Sequence, residues 1–146
     1  MEEQHIASAF DRDLESIQAQ IMKMGGLVEA AIVDAARALE ARDEELALQV
    51  RARDKVIDAM EEQINVDAAR LIAIRSPTAG DLRLVLSVMK IAANLERIGD
   101  YAKNMAKRTM VLAKSPSDLG GASALRRMAR EVERMLKDAL DAYIQR

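Results

Sequence analysis

Two acidic side chains and an amide follow one another at four-residue intervals in the segment 90–107. They are Glu96, Asp100 and Asn104. On a helix, residues four apart lie one above the other, so the three oxygen-bearing side chains share one face. Like charges at this spacing destabilise a helix by roughly 0.2–0.5 kcal/mol when nothing offsets them. The row is therefore either a solvated acidic stripe or half of a site for a metal ion or another cation.

Composition excludes several kinds of chemistry. The 146 residues contain no cysteine, which excludes disulfides, Cys-ligated zinc and thiol catalysis. The 22 basic and 24 acidic residues are interspersed, without a basic face or an aromatic platform for nucleic acid. No run approaches the roughly 20 apolar residues of a membrane span, and the acidic N-terminus lacks the apolar core of a signal peptide. We therefore expect a cytoplasmic protein with no direct membrane insertion and no nucleic-acid ligand.

Long amphipathic helices must carry the acidic row. Half of the residues are hydrophobic, yet the chain has one Phe, two Tyr and no Trp, so its core is aliphatic and rich in Met. The first helix is predicted over residues 7–41, because apolar residues recur with the period of coiled-coil packing. Gly25-Gly26 interrupts this helix, which favours close approach of another helix or a slight bend over a ligand role. The apolar seam of the helix is Phe10, Leu14, Ile17, Ile21, Met24, Val28, Ala31, Ala35 and Ala38.

Capping residues and prolines divide the rest of the chain. Asp43 is a good N-cap for a second helix, which ends at about Arg75 because Pro77 keeps the preceding Ser76 out of the helical region. Thr78–Asp81 resembles a capping box at the start of a third helix. A linker containing Pro and Gly then precedes a fourth amphipathic helix. The predicted apolar face of the fourth helix is Leu125, Met128, Val132, Met135, Leu136, Ala139 and Tyr143.

The connections between the first three helices are short, so consecutive helices should be antiparallel neighbours. The sequence thus predicts an all-α fold, with an up-down-up three-helix bundle over residues 1–113. Residues 114–122 form the linker, and residues 123–146 an additional C-terminal helix. The apolar stripe of that helix must be buried against something, which predicts a homodimer, with or without exchange of the helix between chains.

The same turns predict which residues lie level in the bundle. Because the turn between the second and third helices centres near Pro77, positions whose numbers sum to about 155 should lie opposite each other. The turn near Asp43 similarly sets Glu29 level with Asp58. The carboxylates expected in one tier at mid-bundle are Glu29, Asp58, Glu61 or Glu62, Glu96 and Asp100.

Spacing alone leaves the role of this tier open. Arg97 and Lys103 lie three residues to either side of Asp100, and charge-rich helices form acidic rows by chance, which favours a solvated face. Crowded carboxylates otherwise need cations, and oxygen-only ligands favour Mg²⁺, Ca²⁺, Mn²⁺ or iron. The only histidine, His5, lies near the N-terminus, so the Glu-x-x-His motif of oxygen-activating di-metal enzymes is missing. A plain helical interaction module and a metal-binding module are both consistent with the pattern.

The segment Leu95–Asn104, reading Leu-Glu-Arg-Ile-Gly-Asp-Tyr-Ala-Lys-Asn, strongly resembles the PhoU family of bacterial phosphate-uptake regulators. The resemblance extends to Met24–Val28, Asp58–Glu62 and Arg75–Arg83, and it covers nearly the whole chain. PhoU-like proteins are built from two tandem three-helix repeats. The resemblance therefore implies that this chain holds one repeat and, in 123–146, the first helix of a second, without the second acidic motif.

Each PhoU-like repeat carries a Glu/Asp-x-x-x-Asp motif that binds a metal ion or a multinuclear metal cluster, and Glu96 and Asp100 fill this motif. The resemblance implies a metal site with iron, manganese, magnesium or zinc as candidate metals. It also implies a non-catalytic, negative regulator of phosphate uptake and phosphate signalling. Its expected partners are the ATPase subunit of the phosphate ABC transporter and the phosphate-sensing histidine kinase. The candidate metal ligands are Glu96, Asp100, Asp58, Glu61, Glu62, Glu29 and Asn104.

Overall fold

Four α-helices make up the described part of the protein. The computed structural model describes residues 2–115 and 120–145, and these residues contain no strand. Their arrangement confirms the predicted all-α fold, an up-down-up bundle followed by one more helix. The helices are, in chain order, α1 (Glu2–Ala41), α2 (Glu44–Arg75), α3 (Ala79–Leu112) and α4 (Ala122–Ile144).

The core lies between α1, α2 and α3, each of which packs against the other two. All nine residues of the seam predicted in α1 are buried, and Ile21, Met24 and Val28 are completely inaccessible to solvent. The helix begins at Glu2, five residues earlier than predicted, so His5 lies within it. The 3.5-residue periodicity therefore identified the buried face of α1 correctly.

The turns between the helices follow the predicted capping residues with one exception. The carboxylate of Asp43 accepts a hydrogen bond of 3.0 Å from the backbone N–H of Leu46, as expected for an N-cap. Ser76 ends α2 in the left-handed conformation, and its N–H donates to the carbonyl of Ile72. The prediction of a capping box at Thr78 is wrong, because its side chain makes no capping hydrogen bond.

The register of the bundle agrees with the one that the turns predict. Between α2 and α3, the carboxylate of Asp54 lies 3.5 Å from the Lys103 ammonium, within one turn of the predicted level. Between α1 and α2, the Gln20 side-chain amide donates a hydrogen bond of 2.8 Å to the Asp67 carboxylate. Cross-helix pairs of this kind place side chains from all three helices in defined tiers.

Helix α4 packs on α1 and, among the described residues, on no other helix. It runs antiparallel to α1, since Arg126 pairs with Glu40 near one end and Leu140 lies against Gly25 further along. A Cβ atom at Gly25 would lie 2.5 Å from Leu140 Cδ1, so this glycine allows the close helix approach predicted for it. The central linker residues 116–119 lie outside the described residues.

The apolar face predicted for α4 is mostly exposed in the single chain, and the partner expected to cover it stays a prediction. Only Leu136 and Leu140 are buried, and Leu140 was not among the predicted residues. Leu136 and Leu140 face α1 on one flank of the helix, whereas most of the predicted face lies on the neighbouring flank. The exposed residues of the predicted face are Leu125, Met128, Val132, Met135 and Ala139.

Candidate functional site

Acidic residues occupy positions of the core seam in the middle of α2. The buried residues of α2 recur at alternating intervals of three and four, and Asp54 is one of them. Half-buried Glu61 continues the same spacing one turn after Ile57. On α3, the corresponding buried position is Gly99, where a Cβ atom would lie 3.3 Å from Ile57 and 3.5 Å from Asp54 Oδ1. The missing side chain of Gly99 therefore makes room for Asp54 between the two helices.

Asp54 is the most deeply placed carboxylate of this region. Its side chain is 4% exposed and lies 3.5 Å from the ammonium of Lys103. Burial raises the pKa of Asp54 above its ordinary value, and the charges of Asp58 and Asp100 raise it further, whereas Lys103 lowers it. Oδ1 of Asp54 is buried without a hydrogen-bond partner. An unpaired carboxylate oxygen at this depth is unfavourable unless a cation or a proton is supplied.

Glu96 lies on α3 at the junction with α2, where Asp58 and Glu61 of α2 act on it. Partial burial raises the pKa of Glu96, and the negative charges of Glu61, Asp58 and Asp100 raise it further. A hydrogen bond between the carboxyl groups of Glu96 and Asp58, which needs a proton on one of them, acts in the same direction. The carboxyl groups of Glu96 and Asp58 therefore interact across the junction of α2 and α3.

Glu61 extends the acidic surface by one turn of α2. Burial raises its pKa, with further contributions from the charges of Asp58 and Glu62. Each of these interactions crosses between helices or joins adjacent turns, so the residues form one electrostatically coupled group. We name this group the carboxylate face. It consists of Asp54, Asp58, Glu61, Glu96 and Asp100.

The remaining predicted ligands lie at or beyond the edge of the carboxylate face. Glu62 is exposed and acts on the face through Glu61. Asn104 is exposed and donates a long hydrogen bond of 3.5 Å to the Asp100 carboxylate. Glu29 lies on α1, half-buried, and is not among the charges that raise the pKa of Asp54, Glu61 or Glu96.

Sequence reasoning missed Asp54, although the sequence contains a signal for it. Asp54 and Asp58 are four residues apart on α2, as Glu96 and Asp100 are on α3. Asp54 also interrupts the apolar seam of α2, where a charged residue needs a partner. Its role became visible only with the position of α3, which supplies both Lys103 and the space at Gly99.

The carboxylate face has the donor chemistry of a site for a hard cation. Its ligands are all oxygen atoms, and one buried oxygen of Asp54 has no partner. Within residues 2–115 and 120–145, however, no three Asp, Glu or His side chains converge closely enough to hold a metal ion as they stand. The oxygen ligands of these residues suit such an ion chemically, and their side chains would have to rotate to surround it.

The fold and the carboxylate face define a class of protein: an all-α bundle with an acidic surface at the junction of two antiparallel helices. Residues 21–109 match the model of the PhoU domain, which is more than half of the chain. The protein therefore belongs to the PhoU family. None of the helices in the described part of the chain contains an apolar stretch that could span a lipid bilayer.

Curated relatives carry the name phosphate-specific transport system accessory protein PhoU or its homolog. The chain is 42% identical to the Escherichia coli K12 protein over 139 residues, 95% of this chain and 57% of the relative. It is 40% identical to the Pseudomonas putida homolog, with 95% and 54% covered. The Rhizobium meliloti homolog is 41% identical, with 100% and 62% covered. This chain thus spans between about half and two thirds of the length of these relatives.

Solved structures of family members share the fold. The crystal structure of PhoU from Pseudomonas aeruginosa superposes with a TM-score of 0.89 at 39% identity, covering 93% of this chain and 65% of that one. For the phosphate transport system regulatory protein PhoU from Streptococcus pneumoniae, the TM-score is 0.86 at 31% identity, covering 93% and 63%.

Proposed function

We propose that this chain is a non-catalytic, cytoplasmic regulator that restrains phosphate uptake and phosphate signalling, and that a cation bound to its carboxylate face is part of its active form. The observation that carries the proposal is the coupling of five carboxylates across α2 and α3 within a PhoU domain. The names of the relatives support the phosphate transport system as the setting.

Electrostatics supply the physical reason for a cation. At neutral pH the carboxylate face gathers negative charge that only Lys103 offsets by direct contact among the described residues. A bound divalent ion would offset part of this charge and hold α2 and α3 together at this level. Asp58, Glu61, Glu96 and Asp100 would hold it at the surface, and Asp54 would hold it from below.

The proposed partners are the ATPase subunit of the phosphate ABC transporter and the phosphate-sensing histidine kinase. The names of the relatives identify an accessory protein of a phosphate transport system, which supports a partner within that system. The charge state of the carboxylate face would then determine how the surface of α2 and α3 meets such a partner.

Elemental analysis tests the metal site. Wild-type protein, purified without chelators, should carry a stoichiometric amount of metal, and the double variant Glu96→Ala/Asp100→Ala should carry none while keeping its helical circular dichroism. The matched control is Asp11→Ala/Glu15→Ala, which removes an exposed acidic pair of the same spacing from α1. Equal metal content in all three proteins would refute the site.

Uptake measurements test the regulatory role. In phosphate-replete cells that lack this gene, the rate of phosphate uptake should rise, and the wild-type gene should lower it again. Complementation with Glu96→Ala/Asp100→Ala should fail to restrain uptake if the site is needed, whereas the α1 control should succeed. If the double variant restrains phosphate uptake as the wild type does, the regulatory role does not require the metal site.

A second candidate function is a helical interaction module without a functional metal. The observation that favours it is the absence of three convergent Asp, Glu or His side chains among the described residues. Under this alternative, the purified protein carries no metal, and the partners bind the double variant as tightly as the wild type.

A further inference from the structure

Lys103 places a positive charge beside the most deeply buried carboxylate of the carboxylate face. Its ammonium lies 3.5 Å from Oδ2 of Asp54. This distance is longer than the roughly 2.7–2.9 Å of a charge-assisted hydrogen bond between an ammonium and a carboxylate. Oδ1 of Asp54 is buried and has no hydrogen-bond partner. Lys103 therefore offsets the charge of Asp54 only in part, and one oxygen of Asp54 stays available to another cation.

Gly99 allows Lys103 to reach Asp54. Lys103 follows Gly99 by four residues on α3, and the side chains of a helix lean towards the preceding turn. The stem of the lysine therefore runs over a position that has no side chain. A Cβ atom at Gly99 would lie 3.5 Å from Oδ1 of Asp54. The same gap thus admits the carboxylate from α2 and the lysine stem from α3.

The two partners of this ion pair differ in their access to solvent. The side chain of Asp54 is 4% exposed, whereas that of Lys103 is 31% exposed. A lysine can turn its ammonium into water while its stem stays packed, and such a rotation needs no change in the fold. Asp54 lacks this freedom because it is enclosed between two packed helices. An arriving cation can therefore displace the lysine from the carboxylate, whereas the carboxylate stays in place.

A metal ion bound to Asp54 and the ammonium of Lys103 would repel each other. Hard cations lie about 2.0–2.6 Å from carboxylate oxygens, so both positive charges would lie close to the same carboxylate. The ion would also be held by other carboxylates of the face, such as Glu96 and Asp100. Lys103 forms an ion pair with Asp54 alone among the residues of the carboxylate face. The ion therefore has more ligands to gain than the lysine has to lose.

We propose that Lys103 is an internal competitor of the metal ion: it pairs with Asp54 in the empty protein and turns outward when an ion binds the carboxylate face. The proposal rests on the metal site proposed above and adds the residue that sets its affinity. In the empty protein, Lys103 keeps Asp54 from being an unpaired buried charge, which stabilises the fold. In the loaded protein, its ammonium lies at the surface of α3, so metal binding changes the charge that this surface presents to a partner.

Isothermal titration calorimetry with Mn²⁺ on chelator-treated protein tests the competition. Lys103→Met keeps an unbranched side chain and removes the ammonium, so it should lower the Kd for Mn²⁺ by about 10-fold or more. The matched control is Lys107→Met, which removes the same charge one turn further along α3, at an exposed position. Because solvent and salt screen that charge, the control should change the Kd by about twofold or less. Circular dichroism should show that both variants remain folded.

A double-mutant cycle tests whether Lys103 acts through Asp54. Asp54→Asn removes the charge of the shared ligand and should raise the Kd for Mn²⁺. In the Asp54→Asn protein, adding Lys103→Met should change the Kd no more than Lys107→Met does. An equally large effect of Lys103→Met with and without the Asp54 carboxylate would mean that the lysine acts only through its general charge, and the competition would be refuted.

Lysine labelling tests the outward rotation in the wild-type protein. An amine-reactive acetylating reagent is applied with and without saturating Mn²⁺, and mass spectrometry measures the rate at which each lysine is modified. The rate at Lys103 should rise by about threefold on loading, because its side chain is 31% exposed when paired and almost fully exposed when released. The rate at Lys107 should stay the same.

The possible results separate this proposal from the metal site itself. If neither the wild type nor Lys103→Met binds Mn²⁺, the metal site is refuted and the competition with it. If the wild type binds Mn²⁺ and Lys103→Met binds it no more tightly, the metal site stands and the role of Lys103 is refuted. Labelling of Lys103 that does not change on loading would refute the outward rotation, and this result needs no variant to fold.

Discussion

Replacing Glu96 by Gln should stabilise the metal-free protein at neutral pH. The substitution keeps the size of the side chain and removes one negative charge from the carboxylate face. The charges of Glu61, Asp58 and Asp100 all act unfavourably on the ionised Glu96 carboxylate. A repulsion of this kind between partly exposed carboxylates costs roughly 0.2–0.5 kcal/mol. Three of them give an expected gain of about 1 kcal/mol in the free energy of unfolding.

The pH dependence of this gain follows from the direction of the pKa shift. Because the pKa of Glu96 is raised in the folded protein, Glu96 takes up a proton at a higher pH when folded than when unfolded. The stability difference between Glu96→Gln and the wild type therefore decreases as the pH falls from 7 through the raised pKa of Glu96. The two proteins become equally stable below the ordinary pKa of a glutamate. The difference between Glu96→Gln and wild type should be about 1 kcal/mol at pH 7 and close to zero at pH 4.

Urea unfolding after treatment with a chelator measures this difference, and urea is preferable to guanidinium because it does not screen charge. The corresponding rise in Tm is about 3 °C for a chain of this size. The matched control is Glu15→Gln on α1, an exposed glutamate with one like charge, Asp11, four residues away. Its expected gain is close to zero, because Arg12, three residues before Glu15, offsets the repulsion from Asp11. A Glu96→Gln protein that is no more stable than the control, or equally stabilised at pH 4 and pH 7, would refute the reasoning.

Two further predictions concern the buried ion pair and the glycines of α1. Lys103→Met leaves Asp54 buried without its cation, so the free energy of unfolding should fall by about 2 kcal/mol at pH 7. The loss should become smaller as the pH falls through the raised pKa of Asp54, and urea unfolding over a range of pH measures this. Gly26→Ala should raise the free energy of unfolding by about 1 kcal/mol, because a Cβ atom meets nothing there. Gly25→Ala should give a smaller gain or none and should speed hydrogen exchange in α4, because Leu140 must move; equal gains at both glycines would contradict the close helix contact.

Much of the fold followed from periodicity and capping residues. The seam of α1 was predicted residue by residue, because a helix that packs on two neighbours buries every residue on one face. The level of the carboxylates followed from the turns, because short connections leave antiparallel helices little freedom to slide. Glu96 and Asp58 were thereby predicted to lie in one tier, and the charge of Asp58 acts on Glu96 in the structure.

Other features depended on how the helices rotate about their axes. Glu29 was predicted to lie level with Asp58, and only the rotation of α1 decides that it is not among the charges that act on Asp54, Glu61 or Glu96. In the sequence, Asp54 is a charged residue within an apolar seam. Only the structure shows that Lys103 of α3 is its partner.

The amino-acid sequence by itself determined which stretches form helices, where they end and which level each charge occupies, because these depend on local propensities and on chain length. It did not determine which seam of α4 is buried, since two adjacent seams of that helix are apolar. The tertiary structure decided this by bringing Leu140 against Gly25, the point where α1 has no side chain to keep another helix away. The other apolar seam of α4, with Leu125, Met128, Val132 and Met135, is exposed for the same reason.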